Sequence, residues 1–201
     1  MKLTQIIFAV VVSPLLALPC HTQDKQPEPI KTTTLGKTKN VHQAGNLYFA
    51  GQFTPDDMQV LSKAKIERVI NLRTDGEVDF NEEKMIKDKG MDYIKVPFRK
   101  PETLTDDVFD EIRKLLRDKS KTTLFHCGSA NRVGGVWLPY RVLDEGVDLD
   151  MALKEAKEIG LRTEFIKEKA LDYIKRKQQP RKLDGEESVN PGINKGFKIR
   201  N

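Results

Sequence analysis

The segment Phe125-His126-Cys127-Gly128-Ser129-Ala130-Asn131-Arg132-Val133-Gly134 changes character twice. A short apolar and β-branched run over 122–125 leads into His126 and Cys127. Small, turn-prone residues follow, then Arg132, then the start of a helical pattern at Val133. That order reads as strand, tight loop and helix N-terminus. Such a loop aims several backbone N–H groups at one point, and the helix dipole favours an anion there. A thiol at this position is favoured as the thiolate, the nucleophilic form. Arg132 adds a planar, bidentate donor suited to phosphate or sulfate oxygens. Nucleophile, anion cradle and charge clamp therefore lie within one segment.

Outward from this loop, strand-like and helix-like stretches alternate. Strands are expected over 47–49, 68–72, 93–97 and 122–126. Between them, Thr54-Pro55-Asp56-Asp57 reads as a helix start, with Pro at its first position and acids in its first turn. A helix over 82–89 ends at Gly90, and Thr105 precedes a helix with Val108, Phe109, Ile112, Leu115 and Leu116 on one face. Three helices follow, at about 132–145, 149–159 and 163–175; Pro139 is expected to kink or interrupt the first. The fold class expected is α/β, a central mostly parallel sheet of four or five strands flanked by helices. Ligands of such sheets bind outside the C-terminal strand ends. The loops 73–77, 98–104 and 127–132 should therefore meet.

The rest of the chain sets the organisation. Lys2 and the apolar run over 6–18 read as an export signal, too short for a membrane span. Cys20, after Ala17-Leu18-Pro19, is a candidate lipid-attachment site. The expected organisation is a signal over 1–20, a polar, proline-bearing linker over 21–40, a domain over 41–177 and a flexible tail over 178–201. The expected location is the periplasm or envelope. Cys127 is the other cysteine, which excludes an internal disulfide framework and suggests a working thiol. The formal charge of +5 resides in the C-terminal end: from 174 onward there are eight Lys and Arg against three Asp and Glu. The core is near neutral and has no basic–aromatic stripe, so no nucleic-acid partner is expected. No His, Cys or Asp cluster has metal-ligand spacing, and no cofactor is expected.

At these residues the chain resembles the cysteine-dependent protein tyrosine phosphatase superfamily, whose signature is His-Cys, a short loop and Arg. More closely it resembles the bacterial phosphatase-like domains related to those of beta-lactamase-hydrolase-like proteins. Asn46-Leu-Tyr-Phe-Ala-Gly-Gln52, Val69-Ile-Asn-Leu-Arg73 with Asp75-Gly-Glu77, and Asn131-Arg-Val-Gly134 with Tyr140-Arg-Val142 carry this, over about residues 40–165. The resemblance implies a tyrosine/dual-specificity-phosphatase-like fold and hydrolysis of phosphate monoesters, on a phosphorylated protein or a small ester. It implies Cys127 as nucleophile, through a phosphocysteine, and His126 in support. Arg132 and the backbone N–H groups of Gly128, Ser129, Ala130 and Asn131 would hold the phosphoryl oxygens. The side chains of Ser129 and Asn131 are either donors to the anion or simply turn residues. Gly134 and Gly135 are read as allowing close backbone approach to anion and sheet.

Three departures open other chemistry. Four residues separate Cys127 from Arg132, where established tyrosine phosphatases have five; rhodanese-type sulfurtransferases use four. Val133 stands where those phosphatases carry a hydroxyl residue. Phe98-Arg99-Lys100 stands where dual-specificity enzymes place an acidic residue. Asp75, Glu77, Glu102, Asp106 and Asp107 remain as general-acid candidates; Asp75, on a loop of the expected active face, is the first choice. Arg73 is read as bracing Glu77. The competing functions are a sulfurtransferase carrying a persulfide on Cys127 and a phosphate-binding module with little turnover.

Overall fold

The structure, a computed structural model, describes residues 27–179. The signal, lipid-site and tail readings fall mainly on residues outside this range. Among the described residues, six strands form one sheet in the order β1-β2-β3-β6-β4-β5. They are β1 (Lys31–Thr32), β2 (His42–Ala44), β3 (Leu47–Ala50), β4 (Arg68–Asn71), β5 (Asp92–Lys95) and β6 (Thr123–His126). The β3–β6, β6–β4 and β4–β5 pairs are parallel; β1–β2 and β2–β3 are antiparallel. The mostly parallel α/β class is therefore as expected, with six strands in place of four or five. The two additional strands span two and three residues. Neither is long enough to show a period-two pattern in sequence.

β1 lies inside the stretch read as a linker, which corrects the boundary at 41. Thr33 N–H bonds to Val41 O, Leu35 is buried, and the Lys37 N–H donates to the Asp57 carboxylate at 2.7 Å. Asp57 also accepts from the Thr54 N–H and hydroxyl, tying this turn to the start of α1 (Met58–Lys63).

The parallel strands are buried on both faces, as crossover helices require. One face carries Ala50, Val69 and Leu124 against Leu35, Val41, Phe53, α1 and α2 (Glu82–Asp88). The other carries Leu47, Phe49, Ile70, Phe125 and Cys127. It packs on α3 (Asp106–Arg117), α4 (Asn131–Leu143), α5 (Leu149–Ile159) and α6 (Glu164–Gln178). α4 is buried nearly all round and runs through Pro139 without a break, against the expected interruption. A Cβ on Gly134 would lie 2.3 Å from Ala156 O, and one on Gly135 2.0 Å from Ile166 Cγ2. These glycines serve helix packing on α5 and α6 rather than approach to an anion.

Candidate active site

β6 alternates, and the alternation separates two roles. Leu124 and His126 face α1 and α2, while Phe125 and Cys127 face α3–α6. The His126 ring lies edge-on to Phe53, with its Nε2 3.0 Å from Glu82 Oε1. A carboxylate only accepts, so Nε2 carries the hydrogen. Glu82 is buried, yet its carboxyl stays below the usual carboxylate range. Burial pushes it up; the charge and hydrogen bond of His126, the Gln52 amide and Tyr93 more than offset this. Asn71, the register partner of His126, donates to the same Oε1 at 2.9 Å. His126 thus anchors the end of β6 in a buried polar network behind the loop, and its Nδ1 has no hydrogen-bond partner.

Beyond Cys127 the chain enters α4 within four residues, using Ala130 in the left-handed region (φ 64°). Such a turn followed by helix makes an N–H-lined concavity. Among the described residues, nothing accepts from the N–H groups of Gly128, Ser129, Asn131 or Arg132. The Cys127 N–H bonds to Ala50 O at 3.3 Å, and the Gln52 N–H to Gly128 O at 3.2 Å, which pin the loop to β3. Cys127 is a free thiol, 1% exposed.

Arg132 reaches back across the sheet end. Its Nη1 donates to Phe98 O (2.8 Å), Leu72 O (3.0 Å) and Glu77 Oε1 (3.0 Å), and its Nη2 to Glu77 Oε2. The three loops expected to meet therefore meet on one guanidinium. Burial lowers the Arg132 pKa; the Glu77 hydrogen bond and then the charge of Cys127 outweigh it and raise it. Glu77 is pulled the other way. Burial raises it, but hydrogen bonds from Arg132 and from the Thr74 hydroxyl and N–H hold it down to about 2. Arg73 joins Glu77 (Nε to Oε2, 3.7 Å) and Gln52, as the bracing reading expected.

The other expected site residues are placed differently. The Asp75 side chain is 99% exposed and pairs with Lys95 on β5; the structure does not bring it to Cys127. Asp106 pairs with Arg176 on α6, away from the loop. The Asn131 side chain is fully engaged elsewhere: its Oδ1 accepts from the N–H groups of Arg162 (2.8 Å) and Thr163 (3.1 Å), and its Nδ2 donates to Thr163 Oγ1 (2.8 Å). Ser129 Oγ accepts from Arg162 Nη2 at 2.6 Å, and Ser129 O from Asn40 Nδ2 at 3.1 Å. The N–H groups of both residues meet no backbone acceptor among the described residues, while their side chains hold the neighbouring turns. Arg162 has no local motif to single it out in sequence, since its partners lie some thirty residues upstream. Among the described residues, no group of three or more His, Cys, Asp and Glu is placed to hold a metal.

Comparison with known proteins supplies structures rather than sequence relatives. No family model and no curated protein matches the chain. A cysteine-to-serine variant of Pseudomonas aeruginosa TpbA in complex with phosphotyrosine superposes with a TM-score of 0.58 at 17% identity. The alignment covers 75% of this chain and 90% of that one. A DUF442 protein from Shewanella putrefaciens CN-32 gives 0.58 at 18%, covering 71% and 95%. PTPMT1 gives 0.54 at 15%, covering 65% and 90%. At these identities the likeness concerns the fold alone. The chain has the fold of the cysteine-dependent tyrosine phosphatases.

Proposed function

We propose that this protein hydrolyses phosphate monoesters through a phosphocysteine on Cys127. The observation that carries the reading is Arg132, held by Glu77, Leu72 O and Phe98 O and interacting with Cys127, while the N–H groups of Gly128, Ser129 and Asn131 meet no backbone acceptor among the described residues. Donors fixed before reaction stabilise charge on the equatorial oxygens of a transferring phosphoryl group. The Cys127 thiolate attacks phosphorus, the S–P bond forms and the ester P–O bond breaks. Water then attacks the phosphorus, the S–P bond breaks, and inorganic phosphate and the thiolate are released.

The leaving group determines which esters are suitable. Glu77 is ionised at neutral pH and saturated by Arg132 and Thr74, so it has no proton to give. Asp75 points to Lys95. Esters whose oxygen leaves readily as an anion, such as aryl phosphates, are the substrates this arrangement favours. The four-residue loop favours one second reading, persulfide transfer on the same sulfur. We further propose, from the N-terminal sequence, that the domain works outside the cytoplasm.

The test is p-nitrophenyl phosphate and phosphotyrosine hydrolysis beside thiosulfate-to-cyanide transfer, with Cys127→Ser and Arg132→Ala in parallel. Phosphate release lost in both variants supports the proposal. Sulfur transfer without phosphate release overturns it. Tight phosphate binding without either reaction leaves the binding-module reading in its place.

A further inference from the structure

Glu82 serves His126, directly before the nucleophile, and Glu77 serves Arg132. One neutral side chain, Gln52, lies between these two carboxylates. Its Nε2 donates to Glu82 Oε2 at 2.7 Å and to Phe53 O at 3.0 Å, and its Oε1 accepts from Arg73 Nη1. Arg73 passes the contact on to Glu77. His126, Glu82, Gln52, Arg73, Glu77 and Arg132 thus form one continuous polar chain. It leaves the strand that carries the sulfur and returns to the arginine that faces it.

The chain specifies its middle member closely. A carboxylate only accepts and a guanidinium only donates, so the two partners fix which way the amide points. A carboxylate at position 52 would face Glu82, and an ammonium would face Arg73. An apolar side chain would leave an acceptor and a donor without a partner, and asparagine is one methylene shorter. Asn71 also bridges Glu82 and Arg73, but its Oδ1 accepts from the Arg73 main-chain N–H at 2.7 Å and does not aim the guanidinium. Among the described residues, Gln52 Oε1 is the one hydrogen-bond acceptor of that guanidinium, whose buried Nε has none. Arg73 therefore depends on Gln52 for the direction from which it meets Glu77. Members of such a network polarise and orient one another, so their effects do not add independently.

We propose that Gln52 is a positioning residue for phosphoryl transfer: its amide couples the support behind Cys127 to the brace of Arg132, so that nucleophile and clamp hold one geometry. The inference rests on the phosphatase reading. Donors and nucleophile fixed relative to each other before reaction act on the transition state more than on binding, so the coupling belongs to kcat.

The test reads kcat and KM for p-nitrophenyl phosphate, calorimetry with inorganic phosphate, and urea midpoints in one set of variants. Gln52→Met keeps the length and removes both bonds; it should lower kcat by about tenfold, the size expected of a hydrogen bond to a charged group, and move KM less. Gln52→Glu sets two carboxylates together and should lose at least as much. Adding Glu82→Gln to Gln52→Glu exchanges amide and carboxylate, keeps a donor facing an acceptor between them, and should restore most of the loss. With Gln52 in place, the joint effect of Glu77→Gln and Glu82→Gln on kcat/KM should fall short of the product of the single effects by about fivefold. In Gln52→Met the same two effects should multiply. A lower urea midpoint in Gln52→Met with kcat unchanged would show a packing role alone and overturn the inference. So would Glu77 and Glu82 effects that multiply with Gln52 in place. If the ester is not hydrolysed, the phosphatase reading fails, while phosphate affinity, weakened in Gln52→Met and recovered in the exchanged pair, still decides the role of Gln52.

Discussion

Arg132 and Glu77 form the pair on which the site depends, and each shifts the other toward its charged form. Glu77 is the less visible partner. In sequence it is one of five carboxylates available as an acid; in the structure it is the brace for the arginine. Glu77→Gln keeps the shape and loses the charge, and should lower kcat/KM for an aryl phosphate by about 10- to 100-fold, the worth of a charge-assisted bidentate pair. The same pair links stability to pH. A carboxyl held at about 2 against 4.5 when free stabilises the fold fully above pH 4.5 and loses that contribution as pH falls toward 2. The contribution is on the order of 3 kcal/mol. Urea midpoints measured between pH 6 and 2.5 should fall less steeply in Glu77→Gln than in the unmodified protein. Asp75→Asn, by contrast, should change aryl phosphate turnover by less than about twofold, as expected of an exposed surface pair. A loss of tenfold or more would restore Asp75 as the acid.

At the scale of elements, the tight loop was legible because its chemistry is local. Cys127, the small residues after it and Arg132 lie in one segment, and strand-then-helix patterning surrounds them. The facing of β6 follows from simple alternation, which sends His126 to Glu82 and Cys127 to the opposite layer. What the local pattern does not carry is long-range partnership. In sequence the Asn131 and Ser129 side chains read as anion donors or as turn residues; the turn before α6 decides it, bringing Arg162 and Thr163 beside them. Gly134 is read in sequence as allowing approach to anion and sheet, yet it admits the backbone of α5. Gly134→Ala gains about 1 kcal/mol of helix propensity. It also forces a methyl against Ala156 O and Leu161 N, backbone atoms that do not swing aside. Net destabilisation of about 1–3 kcal/mol, the usual cost of overpacking, should appear in the urea midpoint.

At the scale of the whole molecule, the described residues form a mixed sheet whose parallel part leads into the Cys127 loop and whose antiparallel edge closes it. That edge was hidden in sequence because β1 and β2 are short and lie among polar residues and prolines. It nevertheless supplies Leu35 and Val41 to the core, Lys37 N–H to Asp57, and Asn40 to the loop through Ser129 O. A chain starting at residue 41 should therefore melt lower than one starting at 27. The loss of buried Leu35 alone accounts for about 2 kcal/mol or more. Equal melting temperatures would place residues 27–40 outside the cooperative unit. The central claim concerns the fate of a phosphoryl group at one sulfur. Acid-quenched protein taken during turnover of p-nitrophenyl phosphate, digested and read by mass spectrometry, tests it most directly. The account predicts a phosphoryl group on the Cys127 peptide, absent in Cys127→Ser together with turnover. Turnover that persists in Cys127→Ser, with no phosphorylated Cys127 peptide in the unmodified protein, would contradict it.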